Sequence, residues 1–245
     1  MDQGIYTAAA GAIAMEERLA IISNNLANIN TAGFKKNAVS FEEFQRVLDA
    51  SLLSPGQYRS IPVDVILGGQ YIDTAHGSFR DTGNPLDAAI VGEGFFVVNT
   101  ENGPRYTRAG AFQISPEGLL VTPQGYPVQG QGGDITVGSG IVTIDSQGRI
   151  MVDGNIADVL QIVAVEDYAL MREGNSLFAV REGYFPEIID VPDIRQGCIE
   201  SANVDPIGEM IGLITTQRAY ESFQRVIKSV DDAYAQSIRN VGTTA

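Results

Sequence analysis

Cys198 and His76 are the only cysteine and the only histidine among 245 residues. One chain can therefore build neither a Cys/His zinc site nor an internal disulfide. A histidine-assisted nucleophile would have to use His76, which sits in Asp73-Thr-Ala-His-Gly-Ser78, a glycine-flanked stretch that reads as a turn. Gly92-Glu-Gly94 before Phe95 is a bare G-x-G without the third glycine or the following helix of a dinucleotide site, so it reads as a tight turn into a strand. No G-K-[ST] phosphate loop is present. Aspartates and glutamates are plentiful enough for the two-carboxylate chemistry of a glycosidase, yet no pair is set apart by its sequence context. Lys35 and Lys36, the only adjacent basic pair, read as a solvated loop. No catalytic, cofactor-binding or metal-binding residue is assigned, and no cofactor is expected.

The elements that would have to position any chemistry say more. A formal net charge of -14 opposes phosphate backbones and anionic membrane surfaces, which argues against a nucleic-acid partner. No apolar run reaches the roughly 18 residues that a spanning helix needs, so membrane insertion is not expected. Ala12-Ile13-Ala14 resembles a signal-peptide cleavage site, but Asp2 stands where a basic n-region is wanted, and the segment reads as mature structure.

Near the amino terminus Ile5, Ala8, Ala12, Met15, Leu19, Ile22, Leu26 and Ile29 follow at alternating steps of three and four, the a/d spacing of a coiled-coil stripe. At the other end Asp205-Pro206 reads as an N-cap followed by proline at the first helical position. Ile207, Ile211 and Ile214 lead from there into Phe223, Ile227, Val230, Tyr234, Ile238 and Val241, giving a second helix about 50 Å long at 1.5 Å per residue. Gly208 and Gly212 lie one turn apart on it and each costs about 1 kcal/mol of helix stability, so close approach of another backbone is the expected motive.

Between the helices, short β-rich runs such as Phe95–Val98, Ile141–Ile144 and Leu160–Val165 alternate with Gly, Asn, Asp and Pro turns. Asn99-Thr-Glu-Asn-Gly103 and Asp145-Ser-Gln-Gly148 read as hairpin connections, and nothing suggests a parallel sheet. Phe41 to Asp49 reads as either a short helix or linker, and Ser54-Pro-Gly-Gln57 as turn or linker. The fold class is α+β, with long N- and C-terminal coiled-coil helices joined to a central antiparallel β-rich domain. The expected divisions are an N-terminal helical region over 1–34, a linker over 35–60, the β-rich domain over 61–202 and a C-terminal helix over 203–245.

Two long apolar stripes and one β domain favour self-assembly. In that setting the asparagines of Ser23-Asn-Asn-Leu-Ala-Asn-Ile-Asn30 have two readings. Asn25 and Asn28 fall beside the stripe, where a carboxamide donates to and accepts from neighbouring backbone. Asn28 and Asn30 also fit a helix stop completed by Gly33.

Several stretches then carry a family resemblance. Ser23-Asn-Asn-Leu-Ala-Asn-Ile-Asn-Thr-Ala-Gly-Phe-Lys35, Gly83-Asn-Pro-Leu-Asp-Ala-Ala-Ile-Val-Gly-Glu-Gly-Phe-Phe-Val97, Tyr106-Thr-Arg-Ala-Gly-Ala-Phe112 with Gly118-Leu-Leu-Val-Thr122, and Ser201-Ala-Asn-Val-Asp205 with Thr216-Gln-Arg-Ala-Tyr-Glu221 resemble the signatures of bacterial flagellar rod and hook proteins, in the family's order. The resemblance implies a non-enzymatic structural subunit of a tubular axial assembly, with terminal helices lining an export channel and the β domain outside them. It implies copies of the same chain and neighbouring rod proteins as partners, location in the flagellar basal body, and export by the flagellar type III apparatus without a cleaved signal. Ile5-Tyr-Thr-Ala-Ala-Ala-Gly11, the short middle domain and Pro127-Val-Gln-Gly-Gln-Gly-Gly-Asp134 resemble the proximal rod subunit, whereas Thr216-Gln-Arg-Ala-Tyr-Glu221 looks more like the distal rod or hook type. A secreted cell-wall polysaccharide-processing enzyme is the alternative of a different class, and it requires two carboxylates about 5 to 10 Å apart in a cleft.

The residues expected at subunit contacts are Ile5, Ala8, Ala12, Met15, Leu19, Ile22, Asn24, Asn25, Leu26, Asn28 and Ile29 from the first region. From the second they are Ile207, Gly208, Ile211, Gly212, Ile214, Gln217, Tyr220, Phe223, Ile227, Val230, Tyr234 and Ile238.

Overall fold

A computed structural model describes residues 2–39, 70–174 and 176–242. The readings made for Phe41 to Asp49 and Ser54 to Gln57 lie outside the described residues. The chain forms two compact units. One holds the helices α1 (Asp2–Ala27) and α2 (Pro206–Gly242); the other holds residues 27–36 and 72–204.

Helix α1 is alanine-rich and free of proline, which suits a long uninterrupted helix. It stops at Ala27, so Ile29, the last position of the a/d pattern, lies beyond its end. Helix α2 begins as its sequence foretells. The Asp205 carboxylate accepts the Ile207 N–H at 3.1 Å, Pro206 occupies the first position where no donor is needed, and the Glu209 N–H closes the first turn on the Asp205 carbonyl at 2.9 Å.

The two helices touch at a constant antiparallel register. Gly11 faces Phe223, Ile22 faces Gly212 and Asn25 bonds to Glu209, and each pair of numbers sums to 234.

In the β-rich unit all described strand pairs are antiparallel. Its main sheet has six strands in the order Leu170–Glu173, Leu177–Val180, Gly103–Thr107, Phe95–Thr100, Ile162–Ala164 and Glu187–Ile188. The central strand explains why this unit has two cores. Successive side chains of a strand point to opposite faces, so Phe96 and Val98 enter a cluster with Phe112, Leu120, Val128, Ile135 and Ile150, while Phe95 and Val97 enter another with Tyr106, Val163, Leu170 and Phe178.

Both expected hairpins form. Thr100 pairs with Gly103 across Glu101-Asn102, and Ile144 pairs with Ile150 across a turn whose Asp145 carboxylate accepts the N–H groups of Gln147 and Arg149, both at 2.9 Å. Gly92 and Gly94 take φ of 141° and 116° immediately before Phe95, the turn into a strand that the G-x-G suggested.

Candidate assembly surfaces

On α1, Ala8, Ala12 and Ile22 are buried and Ile5, Met15, Leu19 and Leu26 are half-buried, so the a/d stripe is the side turned toward α2. On α2, Gly212, Tyr220, Phe223, Ile227, Val230 and Tyr234 are half-buried. Ile207, Gly208, Ile211, Ile214 and Gln217 are exposed instead. The reason is helix geometry. Ile214 and Phe223 are nine residues apart, which at 3.6 residues per turn is two and a half turns, so the early isoleucines and the later apolar series occupy opposite sides of one helix. The side chain of Ile238 lies outside the described ones.

The expected glycine pair behaves unevenly. A Cβ at Gly208 would come 2.7 Å from the carboxylate of its own cap, Asp205, and one at Gly212 would sit 3.5 Å from Ile22 Cδ1, an ordinary contact. The tight position is Gly11, where a Cβ would lie 2.7 Å from the Phe223 ring. In the sequence it stands only as the end of Ile5-Tyr-Thr-Ala-Ala-Ala-Gly11, with nothing to mark it as a close contact. Ala14 and Ile21 of α1 and Thr216 of α2 are also buried outside the expected set, and Tyr6, Ile13 and Met210 are large exposed apolar residues that periodicity did not single out.

Asn25 is 1% exposed and satisfied within the chain. Its Nδ2 donates to the Asn37 carbonyl and its Oδ1 accepts the Asn37 N–H, both at 3.0 Å, so the carboxamide imitates a strand neighbour; Nδ2 also reaches Glu209 Oε1 at 3.3 Å. Asn24 is exposed. Asn28 is buried just past the helix end, its carbonyl accepting the Thr31 N–H at 3.0 Å in the turn that closes the segment.

The β-rich unit holds a buried ionic cluster, and here one expectation is corrected. Lys35 is no solvated loop residue. It and Glu200 are each 1% exposed, with Nζ donating to Glu200 Oε1 at 2.7 Å and to the Ala75 carbonyl at 2.8 Å. Adjacent lysines suggest solvent only when no acid is near, and Glu200, distant in sequence, is brought alongside by the fold. Arg108 lies 3.4 Å from Glu200 Oε2 and donates to the carbonyls of Ile90 and Gly92 at 3.2 and 2.6 Å. Burial lowers the Lys35 and Arg108 pKa values against the raising pull of Glu200. Arg172, stacked over Phe34 and Phe178 and donating to the Lys35 carbonyl, is lowered by burial to about 10. His76 approaches Glu200 at 3.8 Å; burial, helped by the charges of Arg108 and Lys35, lowers its pKa below the ordinary value.

Around this cluster the segment leaving α1 is stitched to the segment entering α2. The Gly33 N–H donates to the Glu200 carbonyl at 2.8 Å, and the Lys36 N–H to Asn203 Oδ1 at 2.7 Å. Gly33 has a φ of 67°, and a Cβ there would lie 2.2 Å from the backbone of Arg108 and Ala109, so only glycine fits. The stretches Thr31-Ala-Gly-Phe-Lys35, Tyr106-Thr-Arg-Ala-Gly110 and Ser201-Ala-Asn203 thus converge around one buried ionic cluster.

A groove of about 430 Å³ on the main sheet is lined by Val97, Asn99, Pro104, Tyr106, Gln161, Val163 and Ile188 among others, with no carboxylate in its lining. Among the described residues no group of three His, Cys, Asp or Glu side chains could hold a metal ion, and no helix is long and apolar enough to cross a membrane.

Long helices carrying uncovered isoleucines, joined to a β-rich unit that spends its buried charges on its own chain crossings, define a structural subunit of an assembly. Comparison with known proteins gives the family. The description "Flagella basal body rod protein" matches residues 5–35, "Flagellar hook protein FlgE/F/G D1 domain" residues 89–152, and "Flagellar basal body rod FlgEFG protein C-terminal" residues 195–240. Flagellar basal-body rod proteins FlgF of Caulobacter vibrioides and Rhizobium meliloti are 32% and 31% identical to the chain, each over 99% of both sequences. FlgG of Agrobacterium fabrum is 33% identical over 94% of the chain and 96% of its own length. The chain belongs to the flagellar basal-body rod protein family, whose members are structural parts of the basal body.

Proposed function

We propose that this rod subunit polymerises helically through its terminal helices, which pack as coiled coils between copies and against neighbouring rod proteins. The resulting tube forms part of the periplasm-spanning drive shaft and encloses its export channel. The observation that supports polymerisation is the uncovered apolar face of α2, where Ile207, Ile211 and Ile214 are 52% to 69% exposed. A face of that kind loses about 25 cal/mol for each Å² left in water and gains it back only against a partner.

Of the two rod positions, the proximal one is proposed, on the short middle domain and the stretches Ile5-Tyr-Thr-Ala-Ala-Ala-Gly11 and Pro127-Val-Gln-Gly-Gln-Gly-Gly-Asp134. The distal position is the second reading, favoured by Thr216-Gln-Arg-Ala-Tyr-Glu221. The subunit is exported by the flagellar type III apparatus without signal cleavage and has no catalytic activity.

The test is deletion of the gene with recovery of basal bodies. Loss of motility, restored by the parent chain and accompanied by its appearance in purified rods ahead of the distal subunit, is the expected result. Basal bodies complete without it would refute the proposal.

A further inference from the structure

The face of the main sheet that carries Phe95 and Val97 is used unevenly. Leu170 and Phe178 pack into the cluster beside Phe95. Further along the same face lies the groove of about 430 Å³, a volume usual for sites that hold small ligands. Four neighbouring strands floor it, with Ile188 beside Val163, Val97 opposite Tyr106 and Asn99 opposite Pro104. No residue of the lining is charged, although the chain as a whole carries -14.

Its polar groups are few and unused. Tyr106 is only 8% exposed, and its hydroxyl has no hydrogen-bond partner among the described residues. That hydroxyl is not one of the enclosed orphan atoms, which are Arg108 Nε and Thr216 Oγ1, so it opens into the groove. Burial raises the Tyr106 pKa, so the phenol keeps its proton and donates. The carboxamides of Asn99 and Gln161 are likewise without a partner among the described residues, whereas that of Gln129 is held by Asp134. At the rim, Phe185 directly precedes the lining residue Pro186 and is 91% exposed, and Tyr184 is steadied edge-on by Tyr168 with ring centroids 5.4 Å apart.

We propose that this groove is a binding site for an N-acetylated amino sugar of an uncharged glycan. The lining offers no cation to an anionic ligand and no carboxylate to a cationic one, which leaves neutral ligands. A carboxamide donates and accepts through one planar group, matching the N–H and C=O of an acetamido substituent, and Val97 and Val163 give its methyl an apolar floor. The phenol adds a donor for a ring hydroxyl, and the exposed aromatic rim gives the C–H face of a sugar an apolar surface on which to pack. An extended peptide is the poorer occupant. Peptides add to sheets along an edge through main-chain hydrogen bonds, whereas this groove crosses the face of four strands already bonded to one another. With no acid pair in the lining the site holds a glycan without cleaving it. The rod-subunit reading makes no use of the groove and stands or falls separately.

The test is a methyl NMR titration of the full-length chain with chitotriose, three N-acetylglucosamine units. Saturable shifts are expected at the Val97, Val163 and Ile188 methyls, with Ile141, which is exposed but lines no part of the groove, unmoved. Tyr106→Phe and Gln161→Leu should each weaken binding about tenfold, the loss of one hydrogen bond, while Tyr106→Phe keeps the ring and the melting temperature. Cellotriose, which lacks the acetamido groups, should bind at least about tenfold more weakly than chitotriose. Absence of saturation with chitotriose, equal affinity for cellotriose, or unchanged affinity in both variants overturns the site. So does tighter binding of an end-blocked Val-Pro-Ala peptide, or shifts of the same methyls that follow the chain's own concentration instead of the sugar's.

Discussion

The β-rich unit and the helical unit satisfy themselves to different degrees. In the first, a strand buried on both sides feeds two apolar clusters, and the buried cations Lys35 and Arg108 share one carboxylate of the same unit. In the second, two helices bury alanines against half-buried partners and leave a row of isoleucines in water. A region that closes its own core folds by itself; one that does not is finished by neighbours. Ordering costs about 1 to 2 kcal/mol per residue in backbone entropy, and long helices with one thin contact recover little of it alone.

The widest expected separation is therefore in amide exchange of the purified monomer. Amides of Phe95–Val98 and Ile162–Ala164 should exchange at rates set by global unfolding, and those of Ile5 to Leu26 and Phe223 to Ile238 at rates near those of unstructured chain. Slow exchange of the helices in a proven monomer would break the comparison.

Next in size is the ionic cluster. Glu200→Leu strands two buried cations and should lower stability of the β-rich unit by about 3 to 5 kcal/mol, read by chemical denaturation. Ile207→Ser with Ile211→Ser should change the same measurement by no more than about 0.5 kcal/mol while abolishing motility. Equal losses from both variants would erase the distinction between a self-sufficient region and a dependent one.

A smaller effect is expected at Gly11. Leucine there must displace Phe223 and should cost about 1 to 3 kcal/mol of helix pairing, seen as lost helicity in assembled rods with the β-rich unit unchanged. Smallest is the titration of His76, a single resolvable histidine. Its NMR midpoint should fall below 6.5 and move upward when Arg108 is replaced by Met. Because the folded pKa is the lower one, the unfolded chain binds more protons in the window just below 6.5, so this residue's contribution to stability rises with pH there and is lost as pH falls. A midpoint above 6.5 would reverse that sign and place Glu200 ahead of burial and the two cations.

Local chemistry was legible in the sequence. Asp205-Pro206 starts a helix and the Asn99 to Gly103 and Asp145 to Gly148 turns join strands because each depends on residues within a few positions. Long-range chemistry was not. Nothing around Lys35 announces Glu200, and a pair of lysines without a visible acid reads as surface. Phase was also lost along α2, where a series of apolar steps hides a half-turn between Ile214 and Phe223 that only an unbroken count of residues per turn reveals. Asn25 was marked for backbone contacts, but its partner, Asn37, belongs to the strand that begins just after the turn.

The stitching of residues 33–36 to residues 200–203 has a mechanical consequence. Tension along the segment from α1 reaches the Lys36–Asn203 bond and the Gly33–Glu200 bond before it reaches the sheet. The two bonds and the Lys35–Glu200 ion pair then resist together the separation of residues 33–36 from residues 200–203.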